Sequence, residues 1–385
     1  MKSKFLLILK KEIRELFRDK KSLSMMLIIP IMIPLLIIGL SALFDMQMNK
    51  EVTEYNKIGF NYELSEIEKS IAEEMDIEVI VKSDDELKSD YENGLINLYV
   101  IKNDNTYSLN LYEDDQDASF ALSLVNGMFS TYKEILQRNY LTDKKINPDE
   151  VLNLINVNEN VITKDNENYF SSYITTYGFM FIIMAITVSA TYPATDSTAG
   201  EKERGTLETL LTLPIKAKDI IIGKYLSVTL SSVITGILSL ILLIISLYVS
   251  GGMFEIYKDV NLMMSGVSIL YSIVVIIAYS FLISGLCIAI ASKSGTFKEA
   301  QSALTPLTFI SFFPGMIAFM IELPSSILLA LIPFLNFTLL FDDITSGNVD
   351  ILKIGLMLLS TILIIVVVLA IIIKQYKSEK VLFNN

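Results

Sequence analysis

Apolar runs long enough to cross a hydrocarbon core, uncharged except for Lys224 near the start of the third, recur six times: Ser22–Phe44, Tyr169–Pro193, Ile220–Phe254, Leu262–Ser292, Ala300–Ile321 and Ile354–Ile373. A polar stretch, residues 45–168, separates the first run from the other five. The pattern therefore predicts an α-helical polytopic membrane protein with six transmembrane helices in a 1+5 arrangement, helices 3–6 falling within residues 220–373. A further candidate, Ser325–Phe341, has only 17 residues and contains Pro333. It fits a short span, a re-entrant hairpin or an interfacial helix. Parity argues against a full crossing, because seven spans would put the two basic termini on opposite sides.

Periodicity also organises the polar segments. Within the arm, residues 1–21, Phe5, Leu6, Leu9, Ile13, Leu16 and Phe17 recur at helical spacing, while Lys10, Lys11, Arg14, Glu15 and Arg18 fall elsewhere. This is a basic amphipathic helix suited to lie along a leaflet surface. The 45–168 insert reads as a mixed α/β domain. Strands are predicted at Lys57–Tyr62, Ile77–Val81, Leu95–Ile101 and Thr106–Tyr112, and helices at Glu63–Met75, Asp84–Asn93 and Ala118–Tyr140. Glu113, Asp114, Asp115 and Asp117 cluster carboxylates but lack the glycine and twelve-residue spacing of a calcium loop, so the expectation is a solvated acidic turn. Asp84, Asp85 and Glu86 read as an N-cap and first helical turn.

Charge adds an orientation. The arm, the 194–219 loop with Lys224, the 293–299 loop and the 374–385 tail together hold 18 Lys/Arg and 10 Asp/Glu, whereas Asp45–Glu167 holds 11 and 27. The basic set is expected in the cytoplasm and the acidic α/β domain outside it. The first run is read as an anchor, since its charged arm is long and no A-x-A cleavage site follows. The whole chain, 385 residues at net charge -12, has no histidine, no tryptophan and one cysteine, Cys287. Zinc clusters, haem ligation, Cys-His or Ser-His-Asp catalysis and intrachain disulfides are thereby excluded within one chain. No metal site, bound cofactor or nucleic-acid partner is expected.

No predicted span carries an Asp, Glu, Lys or Arg in its central portion, which disfavours a transporter running on protonatable carboxylates. Neutral hydroxyls are frequent. Tyr173, Thr176 and Tyr177 in the second span and Thr305, Thr308 and Ser311 in the fifth are candidates for a translocation path, against the alternative of ordinary helix–helix hydrogen bonding. Pro306 and Pro314 are expected to interrupt the fifth span.

The 194–219 loop is the most distinctive stretch. Gly200 and Gly205 have phosphate-loop spacing, but Thr206-Leu207 stands where Lys-Ser/Thr is required and no strand precedes it. From Thr206 to Leu213 a short helix is predicted, with Leu207, Leu210 and Leu211 on one face and Pro214 as its stop. Such a helix suits insertion into a partner's groove, or else rests on lipid.

The run Ala199-Gly-Glu-Lys-Glu-Arg-Gly-Thr-Leu-Glu-Thr-Leu-Leu-Thr-Leu-Pro-Ile-Lys-Ala217, followed by Asp219-Ile-Ile-Ile-Gly-Lys224, resembles the G-E-[KR]-E-R-G-T-L-E-x-L-L-x-x-P segment of ABC type-2 transporter permeases. The similarity is strongest to their sodium-exporter, Nat-type branch and extends over the order of arm, first span, external insert and five further spans. It implies a permease without ATPase activity. A separate cytoplasmic ABC ATPase subunit, carrying ATP and Mg, would bind two permease copies, identical or related. It further implies that the loop is the coupling helix, with Glu201, Glu203, Arg204, Gly205, Thr206, Leu207, Leu210 and Leu211 at the ATPase interface and Phe5–Arg18 as the connecting helix. Export of Na+ or of a drug or peptide is the implied activity. The competing reading is a membrane-anchored sensor or assembly protein whose external domain binds a ligand.

Overall fold

The computed structural model describes residues 4–48, 52–104, 106–112, 115–152, 169–212, 214–257, 262–321 and 323–376. Lys2, Asn105, Glu113, Asp114, Leu213, Lys377 and Lys380, and the side chains of Ser171, Ser172 and Leu211, lie outside the described residues. The chain divides into two compact units, Met1–Asp45 with Thr163–Asn385, and Met46–Ile162.

The larger unit begins with α1 (Lys4–Arg18), which continues through Asp19 into α2 (Lys20–Met48). Asp19 starts α2 by accepting hydrogen bonds from the backbone and hydroxyl of Ser22, at 3.0 and 2.9 Å. Although burial opposes its ionisation, bonds from Ser22, Lys21 and Tyr192 hold the Asp19 carboxyl below the usual range. α2 is apolar over most of its surface, buries Met26, Pro30, Ile33 and Ile37, and leaves Leu27, Ile28, Ile31 and Leu35 exposed.

The smaller unit is a four-stranded sheet with helices on both faces. Its elements are β1 (Lys57–Phe60), α3 (Glu66–Glu74), β2 (Glu78–Val81), α4 (Asp84–Glu92), β3 (Leu98–Asn103), β4 (Thr106–Asn110), α5 (Gln116–Asp143) and the short α6 (Pro148–Leu152). Strand order is β2-β1-β3-β4, with β1 parallel to β2 and β3 and only the β3–β4 pair antiparallel. Alternation along the strands separates two cores. Ile58, Phe60, Leu98 and Val100 meet Ile71, Ala72, Ala121, Val125 and Met128, while Leu87, Tyr91 and Ile96 lie with Tyr99 on the opposite side. Gly59 has no side chain because α4 leaves no room: a Cβ there would fall 2.5 Å from Leu87 and 2.8 Å from Ile96. Helix α3 starts in a capping box in which buried Glu68 accepts from the Ser65 backbone at 2.8 Å and from Tyr62 at 2.8 Å. Two details depart from the sequence reading. The cap of α4 is Ser83, with Asp84, Asp85 and Glu86 in the first turn, and Asp115 is the cap of α5, accepting from the Ala118 amide at 3.1 Å.

The larger unit resumes with α7 (Tyr169–Thr195) and continues through α8 (Glu201–Glu203), α9 (Thr206–Thr212), α10 (Ala217–Met253), α11 (Gly266–Ala291), α12 (Phe297–Met320), α13 (Leu335–Thr345) and α14 (Ile351–Tyr376). Among the described residues six helices, α2, α7, α10, α11, α12 and α14, are long and apolar enough to cross a membrane. The most buried is α7, which packs against α10, α11, α12 and α13. Small residues set the closest approaches: at Gly236 of α10, a Cβ would fall 2.5 Å from Ile276 of α11 and 2.8 Å from Ile186 of α7. The 37 residues of α10 extend about 55 Å, well beyond a hydrocarbon core of about 30 Å, so this helix projects past the apolar layer.

One expectation changes. Helix α12 runs unbroken through Pro306 and Pro314. Each proline removes one ladder bond, and the buried stripe Leu304, Leu307, Ser311, Gly315 and Ala318 keeps the remaining turns in register. The 325–341 candidate forms no helix long enough to span, in keeping with the parity argument. Its helical part, α13, has 11 residues, about 16 Å, and lies further along the chain at Leu335–Thr345. It is seated among α7, α11 and α12, with Phe341 stacked on Phe179 at 3.8 Å. Phe334 enters it at φ 69°, a left-handed conformation strained for a bulky residue and held by packing on Tyr279.

Gly236→Val is expected to lower the stability of the detergent-solubilised protein by about 1–3 kcal/mol through overpacking at the α7–α10–α11 junction. Gly252→Ala, where a Cβ meets nothing within 4 Å, serves as the control. Equal melting temperatures for the two variants would mean that this junction is loosely packed.

Candidate functional site

The stretch after α7 is helical where a loop was expected. Asp196–Gly200 form a π-helical turn that carries the axis of α7 into α8. Such a turn holds one residue more than an α-helical turn, and π turns are frequent at functional sites. Gly205, at φ 69°, ends the run: its amide bonds Lys202 O at 2.9 Å, and only glycine adopts this backbone freely. α9 follows at once.

Four consecutive side chains of this segment each reach a different part of the unit. Glu201 turns inward, taking the Lys224 ammonium of α10 at 2.5 Å and that of Lys11 of α1 at 2.8 Å. Lys202 donates to the carbonyls of Ser292 and Ser294, between α11 and α12, at 2.6 and 3.3 Å. The Glu203 carboxylate accepts from the Phe297 amide, the first residue of α12, at 2.7 Å, where helix-end amides favour an anion. Arg204 folds back on Asp196, bonding its carboxylate at 2.8 Å and its carbonyl at 3.2 Å. Ser292, held by Lys202, itself donates to Gln375 of α14 at 2.9 Å. One short segment thus touches α1, α10, the α11–α12 connection and α12, and through Ser292 reaches α14.

The centre of this hub is ionic and buried. Lys224 is 1% exposed and Glu12 and Glu201 are each 5% exposed. The Lys224 ammonium meets both carboxylates, at 3.4 and 2.5 Å, and donates to the Ser197 carbonyl of the π turn at 2.5 Å. Lys11 also pairs with Glu12 and Glu15, each at 3.3 Å. Burial works against the Lys11 charge, yet Glu12, Glu201 and Glu15 outweigh it and hold its pKa above the usual lysine value. Oxygens of Glu12, Glu15 and Glu201 all lie within 4.8 Å of one another, a spacing a metal ion could use. Here two ammonium groups contact that cluster and balance its two buried carboxylates. Isolated ions at this depth would be very costly, so each charge depends on the others being present.

The leucine face of α9 is only partly displayed. Leu207 is 3% exposed and belongs to the main core, whereas Leu210 is half-buried. Glu203, Arg204, Gly205, Thr206, Glu208, Thr209 and Thr212 are exposed, and Thr206 donates to Glu201 O at 3.2 Å. The motif therefore has an inward set, Glu201 and Leu207, and an outward set of polar groups. Lys224, Lys11 and Glu12 are the members that sequence reasoning missed. In the sequence Lys224 counts only with the basic cytoplasmic set and at the end of the motif run, with no partner to identify; the one signal for Glu12 is an acid at i+4 between Ile8 and Leu16, inside the apolar face of α1.

The hydroxyl candidates do not form a single lining. Ser311 is buried and receives a bond from Thr187, which also shares a hydrogen with Tyr279 at 2.7 Å. Thr176 donates to Asp342 of α13 at 2.8 Å. Tyr173 and Tyr177 pack on Phe319, with ring centroids at 4.5 and 5.4 Å. Thr308 is half-buried, and Thr305 is on the exposed side of α12 with Phe309 and Phe313.

Comparison with known proteins gives a consistent result. Residues 20–374 match a family described as ABC-2 family transporter protein. The chain is 27% identical over 358 residues to the ABC transporter permease protein NatB of Bacillus subtilis (strain 168), covering 89% of this chain and 90% of that protein. No solved structure matches.

Lys224→Met would strand Glu201 and Glu12 without their shared cation, and is expected to destabilise the protein by about 3–5 kcal/mol in thermal melts. Adding Glu12→Gln and Glu201→Gln removes the stranded charge and should recover much of that loss. If the single and triple variants melt alike, charge pairing is not what holds the hub.

Proposed function

Because the chain belongs to the ABC-2 family of transporter proteins and is an ABC transporter permease subunit in a membrane, we propose that it forms half of the path of an ATP-driven exporter and receives its energy at the Glu201–Thr212 segment. The energy source is a separate ABC ATPase subunit on the cytoplasmic side, which holds ATP and Mg. Both termini lie on that side, and the α/β unit lies on the other. The charge partition supports this orientation, as does the bonding of α1, the 196–212 segment, the α11–α12 connection and the end of α14 to one another.

The observation that carries the reading is the division of the motif into an inward and an outward set. The exposed Glu203, Arg204, Thr206, Glu208 and Thr209 are available to a partner, while Glu201, Lys202 and Glu203 connect the same segment to the spans. Gly205 separates the two functions by letting α9 turn away from α8. Glu201, Leu207 and the half-buried Leu210 then act by positioning α9. Displacement of α9 by the closing ATPase pair is transmitted to α10 through Lys224 and to α12 through the Phe297 amide, switching access of the path.

A second permease copy completes the path. The exposed apolar side of α12, with Phe309, Phe313 and Ile317, supports a junction there, with Thr305 and Thr308 beside it. Tyr173, Thr176, Tyr177 and Ser311 stand in separate places, each engaged by a neighbour, and join the lining only when α7 and α12 shift. The Nat-type resemblance makes Na+ the first cargo to assay, followed by drugs and peptides.

Glu208→Arg with Thr209→Arg reverses the outward surface of α9 without touching its buried leucine. The double variant is expected to insert and melt like wild type, yet to lose most of its co-purification with the ATPase and its stimulation of ATP hydrolysis in lipid. Normal association and stimulation would refute α9 as the docking element.

A further inference from the structure

Helix α1 presents three stripes of different character. Ile8, Glu12 and Leu16, at i, i+4 and i+8, are buried on the bundle side, where Ile8 also meets the surface of α10 at Gly223, whose Cβ would fall 2.6 Å from it. Leu6, Leu9, Ile13 and Phe17 form the next stripe, and they are not covered: Leu6 is 46% and Phe17 48% exposed, with Leu9 and Ile13 between them half-buried. Beyond it stand Lys10, Arg14 and Arg18, again at i, i+4 and i+8, all exposed and without an ion pair among the described residues. Lys20 and Lys21 extend the same basic run into the start of α2. The one exposed acid of the helix, Glu15, is engaged by Lys11 at 3.3 Å.

An uncovered apolar stripe bordered along its length by unpaired cations fits a surface that is hydrocarbon on one side and negatively charged at its boundary. We propose that α1 is a binding surface for anionic phospholipid: Leu6, Leu9, Ile13 and Phe17 enter the acyl region, and Lys10, Arg14 and Arg18 hold the headgroup phosphates. Long basic side chains beside a lipid-facing stripe reach the headgroup layer by extending along it. Each basic side chain near an anionic leaflet enriches such lipids by roughly fivefold, so a row of three discriminates well between anionic and zwitterionic headgroups. The lipid on one side of α1 and the Lys224–Glu201 pair on the other are then joined through Glu12, and leaflet composition acts on the hub described above. The lipid contact does not depend on an ATPase partner.

The chain has no tryptophan, so Phe17→Trp places a single selective fluorophore in the apolar stripe of the full-length protein. The protein is reconstituted in phosphatidylcholine vesicles containing equal mole fractions of either brominated phosphatidylglycerol or brominated phosphatidylcholine. Quenching by brominated phosphatidylglycerol is expected to be at least about twofold stronger. Lys10→Gln, Arg14→Gln and Arg18→Gln together, or high salt, should remove the difference while leaving quenching by phosphatidylcholine. Leu363→Trp, on the exposed side of α14, is the reference and should respond equally to both lipids. Leu6→Trp repeats the test should the first reporter disturb the junction with α2. Equal quenching by both lipids at α1 would overturn the headgroup assignment, and absence of quenching by either would show that protein covers this face.

Discussion

The ammonium of Lys224 sits where three helical segments that are far apart in the chain have to agree. It belongs to α10, yet its partners are Glu12 of α1, Glu201 beyond the π turn and the Ser197 carbonyl within that turn. A buried charge cannot be left alone, and a buried carboxylate cannot either, so the position of each helix is a condition for the others. Apolar packing tolerates sliding by fractions of a turn more readily than this geometry does, because a hydrogen-bonded ion pair fixes distance and direction together. The four residues after the π turn extend the same principle outward, each fastening a different part of the unit.

This arrangement gives a permease subunit a continuous set of polar contacts between a surface segment and its long apolar helices. Its spans provide apolar surface and hydroxyls; what has to be specified is mechanical continuity between a surface segment and helices that cross the membrane. Short polar links to backbone groups, as from Glu203 to the Phe297 amide and Lys202 to the Ser292 carbonyl, make such continuity without requiring a rigid loop. The smaller α/β unit follows different rules, with capping boxes, a two-sided sheet and a glycine where a helix crosses close.

Much of this architecture was legible in the sequence because it rests on local pattern. Hydropathy marked all six long helices within a few residues, and alternation found the four strands, since burial against lipid or a core leaves a periodic trace. The cap of α4 was displaced by a residue because Asp84 and Ser83 are both good cap residues and only the backbone decides. Less legible were features that depend on tertiary partners. Lys224 counts only as one more cytoplasmic positive charge until Glu12 and Glu201 are brought to it. Leu207 reads as displayed until the core covers it. The prolines of α12 suggest a break, yet neighbouring helices hold the turns together. The α13 segment has a composition close to that of a span, and only its length and the strained Phe334 entrance distinguish it.

The π turn at Asp196–Gly200 gives chain length a meaning of its own in this region. An extra residue within a helix rotates everything beyond it by about 100° about the axis. Glu201 faces Lys224 and Arg204 faces outward only at the phase this turn sets. Side chains within the turn are therefore freer to vary than their number: a single insertion would bring Gly200, and a single deletion Lys202, to the place where Glu201 meets the buried cation, and either would turn the carboxylate away from it. The segment works as a phase adjuster between a helix whose rotation is dictated by its packing in the membrane and a short motif whose rotation is dictated by charge.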